Sequence, residues 1–132
     1  MESKMTLRDC RDAIELDVPR GYFICWNFTT QAQNKVRTKL YDNRGRVYME
    51  ETRQSRKPLP VISGSDYMAG DKLFVTIDVP TSKEVHVWRG TSEMKNQSGQ
   101  IVARSIVILA EDEDDDDFND VQLNITAFRS EG

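Results

Sequence analysis

Leu73-Phe-Val-Thr-Ile-Asp-Val79 sets Leu73, Val75, Ile77 and Val79 on one face and Phe74, Thr76 and Asp78 on the other. A period of two belongs to a strand with one face buried, because a helix needs apolar residues three and four apart. The signature recurs along the chain. Ile14, Leu16 and Val18 alternate with Glu15 and Asp17, and Tyr22, Ile24, Trp26 and Phe28 share a face. Val36, Thr38 and Leu40 alternate with Lys35, Arg37 and Lys39, and Val85 and Val87 flank His86, the sole histidine. Ile101 to Ala110 reads as a long strand, with Val121 to Phe128 as its partner. Pro19-Arg-Gly21, Asp42-Asn-Arg-Gly45 and Pro80-Thr-Ser-Lys83 are turn signals between these runs. No segment carries a 3.6-period stripe with helix caps. The pattern predicts an all-β fold, an antiparallel β-sandwich of about eight or nine strands.

A chain of 132 residues suits one domain with a real core. Residues 1–12 are polar and read as a flexible N-terminal arm, leaving 13–132 as a single sandwich domain. Residues 51–72, with Pro58, Pro60, Gly64 and Gly70, are the least regular, with Leu59 to Ile62 as a short edge piece. Thr29 to Asn34 and Gly90 to Gly99 read as polar loops. No run of about 18 apolar residues is present to span a membrane. No apolar h-region follows Met1, so no signal peptide is visible. The expectation is a cytoplasmic protein, or one that reaches the outside after loss of a leader or by another export route. Cys10 and Cys25 make no disulfide framework. Cys25 reads as a reduced, buried strand residue, and Cys10 as open to an intermolecular bond.

Between the last two strands lies Glu111-Asp-Glu-Asp-Asp-Asp-Asp-Phe-Asn-Asp120, with eight carboxylates in ten residues. It accounts for the formal charge of -4, since 14 acids face 18 bases in the rest of the chain. That remainder is mildly basic, without the one-sided field of a nucleic-acid binder. A loop tethered at both ends holds its carboxylates close together, where they repel. A hard divalent cation such as calcium, taking six to eight oxygen ligands, relieves that repulsion. This is no EF-hand: counting from Asp112 puts Asp117 where that loop needs Gly and Leu123 where it needs Glu, and the flanks are strands. The alternative on composition alone is a solvated acidic loop that keeps a β protein soluble and blocks edge pairing.

The order Glu111-Asp112-x-x-Asp115-x-Asp117-Phe118-Asn119-Asp120, followed by an alternating strand, is similar to the calcium loop of the bacterial fucose/mannose-binding lectins. Gly70 to Val79 resembles that family's central strand, and Tyr22 to Thr30 its early aromatic strand. The resemblance implies a small β-sandwich holding two calcium ions, to which sugar hydroxyls coordinate directly. It implies Glu111, Asp115, Asp117, Asn119 and Asp120 as metal ligands. Asp112, Asp115, Asp117 and Asp120 would accept hydrogen bonds from the sugar. Thr29 and Thr30 fall where the family supplies a further oxygen, so they count with the sugar-binding residues. The family's C-terminal glycine carboxylate reaches a partner's metal site. Here Gly132 is the candidate trans ligand, two residues beyond the place that ungapped counting from Asp120 gives. Two further implications are a fucose or mannose partner and a homodimer or higher homo-oligomer.

Two other readings stand beside this calcium-dependent lectin. One is a calcium-stabilised structural or protein-interaction module without a sugar site, and the other a metal-free domain whose acidic loop meets a basic partner. Catalysis is not expected. His86 has no nucleophile motif with it, and carboxylates clustered in one loop do not flank a glycosidic bond from opposite sides.

Overall fold

The computed structural model describes residues 13–81, 85–111 and 120–129, and residues 2–7 by their backbone alone. They form ten strands: β1 (Glu2–Leu7), β2 (Ile14–Leu16), β3 (Phe23–Thr30), β4 (Ala32–Asp42), β5 (Val47–Ser55), β6 (Ile62–Tyr67), β7 (Leu73–Asp78), β8 (Val85–Lys95), β9 (Ile101–Glu111) and β10 (Val121–Phe128). A six-stranded sheet runs β1-β8-β9-β10-β3-β6 and a four-stranded sheet β2-β7-β4-β5, and every pairing is antiparallel. The expected sandwich is present. Among the described residues no helix is long and apolar enough to cross a membrane.

The alternation seen in the sequence is the alternation of burial. Ile24, Trp26 and Phe28 of β3, Leu123 and Ile125 of β10, and Ile106 and Ile108 of β9 face Leu40, Val75 and Ile77 across the core, and all are buried. Each such side chain contributes roughly 1.5–3 kcal/mol when taken from water. Two arginines of the large sheet tie down the short β2 edge. Arg89 Nη1 donates to Glu15 O at 2.8 Å, and Arg104 Nη1 donates to Asp17 O at 2.6 Å.

Five expectations need correction. Residues 2–7, read as part of a flexible arm, pair with Val85–Gly90 in unbroken register as β1; residues 8–12 lie outside the described residues. The supposed loop after β3 shrinks to Gln31, because β4 starts at Ala32 and crosses to the other sheet with a register shift before Val36. Six of the ten residues of the supposed Gly90–Gly99 loop are strand, and β8 turns only at Asn96 to Gly99, where the Asn96 side chain accepts from the N–H groups of Ser98 and Gln100. The irregular stretch contains β6, whose small residues hid it. Gly64 stands opposite Trp26, and a Cβ there would overlap the indole. Cys25 is half-buried, on the outer side of β3.

The Asp42 turn holds a buried carboxylate that the sequence reading treated only as a turn residue. Asp42 accepts from Tyr48 Oη at 2.7 Å and from the backbone N–H groups of Arg44 (2.8 Å), Arg46 (3.0 Å) and Gly70 (3.0 Å). Burial alone pushes this carboxyl up. The hydrogen bonds from Tyr48, Arg46, Arg44 and Gly70 overcome that and leave it below the ordinary carboxylate value. Gly45, at φ 84°, closes the turn.

The outer face of the large sheet reads across its strands in rungs. From β6 to β8 one rung is Tyr67, Phe23, Phe128, Ala103 and Met94, and the next is Ser65, Cys25, Thr126, Ser105 and Ser92. Ser63, Asn27, Asn124, Val107 and Gly90 follow, then Thr29, Gln122, Leu109 and Trp88. One register step further, the strands end at the acidic segment.

Candidate functional site

Three strand ends converge where the acidic segment begins and finishes. Val121 lies opposite Thr30 on one side and Ala110 on the other. The next step outward along the β9–β10 register therefore brings Glu111 level with Asp120. Glu111 is fully buried and Asp120 half-buried. Gln31 fixes the approach of β3, its N–H donating to Asp120 O at 3.2 Å. On the far side of Glu111 stands His86, its register partner on β8. The sequence signal for that neighbour was only its place next to Val85 and Val87.

Thr29 and Thr30 point to opposite faces, as neighbours in a strand must. Thr29 Oγ1 donates to Leu59 O at 2.5 Å, and Leu59 N–H donates back to Thr30 O at 3.0 Å. Gln31 Nε2 donates to Arg56 O at 3.1 Å. These bonds staple the proline-framed segment 56–61 beside the strand ends. Thr30 faces inward, and its buried Oγ1 has no hydrogen-bond partner among the described residues.

Asp112, Asp115, Asp117 and Asn119 lie outside the described residues, as does Gly132. Of the expected ligands, Glu111 and Asp120 alone are described, at the adjoining ends of β9 and β10. Among the described residues no group of three or more His, Cys, Asp or Glu side chains is arranged to hold a metal.

The donors at hand suit a hard cation. A carboxylate is costly to bury, and a like charge one register step across a ladder adds to the cost. Oxygen ligands from Glu111, Asp120 and the segment between them are the kind that calcium takes. Two clefts elsewhere, of about 300 Å³ beside Arg37 and Asp78 and about 380 Å³ beside Glu15 and Arg89, are lined by side chains of both charge signs.

The profile of the fucose-binding lectin II (PA-IIL) family matches residues 16–129. The chain belongs to that family. That family is one of carbohydrate-binding lectins. Three solved lectins share the fold. The C-terminal domain of the BC2L-C lectin from Burkholderia cenocepacia superposes with a TM-score of 0.69 at 13% identity, over 96% of this chain and 97% of that one. The Ralstonia solanacearum high-affinity mannose-binding lectin gives 0.65 at 12% identity, over 85% of this chain and 93% of that one. The Chromobacterium violaceum lectin CV2L, solved with alpha-methyl-fucoside, gives 0.59 at 10% identity over the same shares. Among curated protein sequences, none matches.

Proposed function

We propose that this PA-IIL family chain is a calcium-dependent lectin that binds fucose or mannose, or a glycan ending in one, through two calcium ions held by residues 111–120. The observation that carries the reading is the buried Glu111 carboxylate, one residue past the Ala110–Val121 pair as Asp120 is, at the mouth of a segment with eight carboxylates. Glu111, Asp115, Asp117, Asn119 and Asp120 are the proposed metal ligands. Bound there, calcium would offer hard coordination positions at which vicinal hydroxyls replace water. Asp112, Asp115, Asp117 and Asp120 accept the protons those hydroxyls must donate. Thr29 and Thr30 close the β3 side of the site, held by the bonds to Leu59. The reading includes a homodimer or higher homo-oligomer, in which the Gly132 carboxylate reaches a partner's ions.

The test is a melt in millimolar calcium and in EDTA, followed by titration with methyl fucoside and methyl mannoside. A ligand bound by the native state alone raises stability by about 2.7 kcal/mol at a hundred times its Kd. A higher Tm in calcium and calcium-dependent sugar binding are expected, both lost in Asp117→Asn with Asp120→Asn. Equal melts in calcium and EDTA would favour the metal-free domain. A calcium response without any hexose binding would favour the calcium-stabilised module.

A further inference from the structure

The β3 side of the proposed site is rimmed by Arg56-Lys-Pro-Leu-Pro-Val61, a segment whose charge and stiffness a calcium site alone does not explain. The two prolines fix their own φ, and Lys57 and Leu59, each preceding one, are held to extended backbone. Besides the bonds to Thr29, Thr30 and Gln31, the Lys57 N–H donates to Ser55 Oγ at 3.2 Å. Arg53 Nη2 donates to Pro60 O at 3.0 Å, with the guanidinium 5.5 Å from the centroid of the Phe28 ring. Gln31 joins the segment to the strand ends, since its backbone N–H bonds Asp120 O and its side chain bonds Arg56 O. Arg56, Lys57, Pro58 and Pro60 are exposed, and so is Val61. Elsewhere Arg37, Arg46 and Arg104 each pair with a carboxylate. Arg56 and Lys57 pair with none among the described residues.

We infer that Arg56 and Lys57 form a subsite for an anionic oxygen group, a carboxylate or a sulfate ester, on the sugar next to the terminal fucose or mannose. The inference rests on the lectin reading above and adds the class of glycan that the site takes. Position comes first. Thr29 and Thr30 close the β3 side of the site, and the segment bonded to both is what a glycan leaving on that side crosses. Charge comes second. The acidic segment by itself repels an anionic glycan, but two calcium ions bring the formal net charge from -4 to 0. Two unpaired cations on the rim then favour an anion. Shape comes third. A guanidinium is a planar fork that holds a carboxylate or sulfate by two oxygens, and an ammonium beside it adds a point charge. The proline-framed backbone is already fixed, so little freedom is lost when the anion lands. Pro58, Pro60 and Val61 give the ring that carries it an apolar surface to lie on.

The experiment is isothermal titration of the full chain in millimolar calcium, at about 0.05 M and about 0.5 M NaCl. The first probes are methyl fucoside and methyl mannoside. The next are disaccharides in which the sugar that binds is linked to galactose, to sulfated galactose or to galacturonate. An exposed ion pair adds at most about five-fold in affinity. The two anionic disaccharides should therefore bind about three- to ten-fold tighter than the neutral one at low salt, and less than about two-fold tighter at high salt. Arg56→Gln with Lys57→Gln should lose that advantage and bind the methyl glycoside as wild type does. Arg20→Gln with Arg44→Gln removes as much charge from exposed turns at the opposite ends of β3 and β4, and should keep it. A gain for one anionic disaccharide alone supports the subsite and names its group. A methyl glycoside that binds, with no gain for either anion or a gain that survives in the Arg56/Lys57 variant, would overturn the subsite and leave the lectin reading standing. If neither methyl glycoside binds, the lectin reading falls and the subsite with it. An Arg56/Lys57 variant that melts below wild type and below the control in EDTA, and binds every sugar more weakly by one factor, would assign the two cations to the acidic segment instead.

Discussion

Glu111→Gln should change stability in opposite directions with and without calcium. Glu111 is fully buried, and extending the β9–β10 register one step past the Ala110–Val121 pair sets Asp120 across from it. Side chains so placed are about 5 Å apart at Cβ. Two unit charges at that distance repel by about 3 kcal/mol at an effective dielectric of 20, and by under 1 kcal/mol in bulk water. A neutral amide of the same shape removes that repulsion and the cost of burying the charge. In EDTA the variant should therefore be more stable than wild type by about 1–3 kcal/mol. Unfolding entropy is roughly 2.1 cal/mol/K per residue. For 132 residues that makes about 0.28 kcal/mol/K, so the rise in Tm should be about 4–10 °C.

In calcium the sign reverses. A carboxylate ligand is gone, and with it much of the roughly 2.7 kcal/mol that an ion at a hundred times its Kd adds. Set against the gain of about 1–3 kcal/mol that the substitution keeps, the variant should then melt up to about 6 °C below wild type. Differential scanning calorimetry in millimolar calcium and in EDTA reads both arms on one preparation. A variant that melts lower than wild type by the same amount in both buffers would refute the reasoning. Glu111 would then be a structural carboxylate whose protein partners need its charge, and not a cation ligand.

Two further substitutions separate structural from ligand-bearing polar groups. Thr30→Val removes a buried hydroxyl that has no partner among the described residues, so a urea melt in EDTA should show a gain of about 1 kcal/mol or more. A loss would mean that the hydroxyl is bonded within the acidic segment. Asp42→Asn should cost about 2–4 kcal/mol, since hydrogen bonds to a charged acceptor contribute about 1.5–3 kcal/mol each and four converge on this carboxylate. Because its folded pKa lies below the unfolded value, this contribution is complete at neutral pH. It fades as pH falls below about 4 and through the folded pKa. Urea melts from pH 7 to pH 3 should show a wild-type loss that the Asn variant lacks, and parallel curves for the two would count against the assignment.

The strands were legible because each buries one face. Leu73 to Val79 and Val121 to Phe128 alternate without a break, and the structure buries every second residue of both. What escaped were strands whose pairing leaves little apolar signal. β6 is Ile-Ser-Gly-Ser-Asp-Tyr, on an edge, with Gly64 placed there by the bulk of Trp26 and not by a turn. β8 runs on past Gly90 through Thr-Ser-Glu, residues that composition assigns to a loop and that the β9 ladder holds extended. In the candidate site, residue type and order named Glu111 and Asp120, but no local pattern tells that Glu111 is buried or that His86 stands across from it. Those facts depend on which strand neighbours which, and β8 beside β9 is a tertiary choice.

The same sandwich gives three surfaces different work, and the division follows from charge. The small sheet's outer face pairs Lys39 with Glu50 and Arg37 with Asp78 across its ladders, which keeps that side solvated and discourages association. The large sheet's outer face carries no charged residue in the four rungs from β6 to β8. Every excess carboxylate is gathered beyond the last rung, at the ends of β9 and β10. A cation site in the middle of either face would need polar ligands that break a ladder. Beyond the strand ends a ligand set breaks no ladder. The core beneath, with Val121 and Ala110 fully packed, fixes where Glu111 and Asp120 emerge. Strand pairing thus sets the positions of Glu111 and Asp120, the two outermost of the proposed ligands.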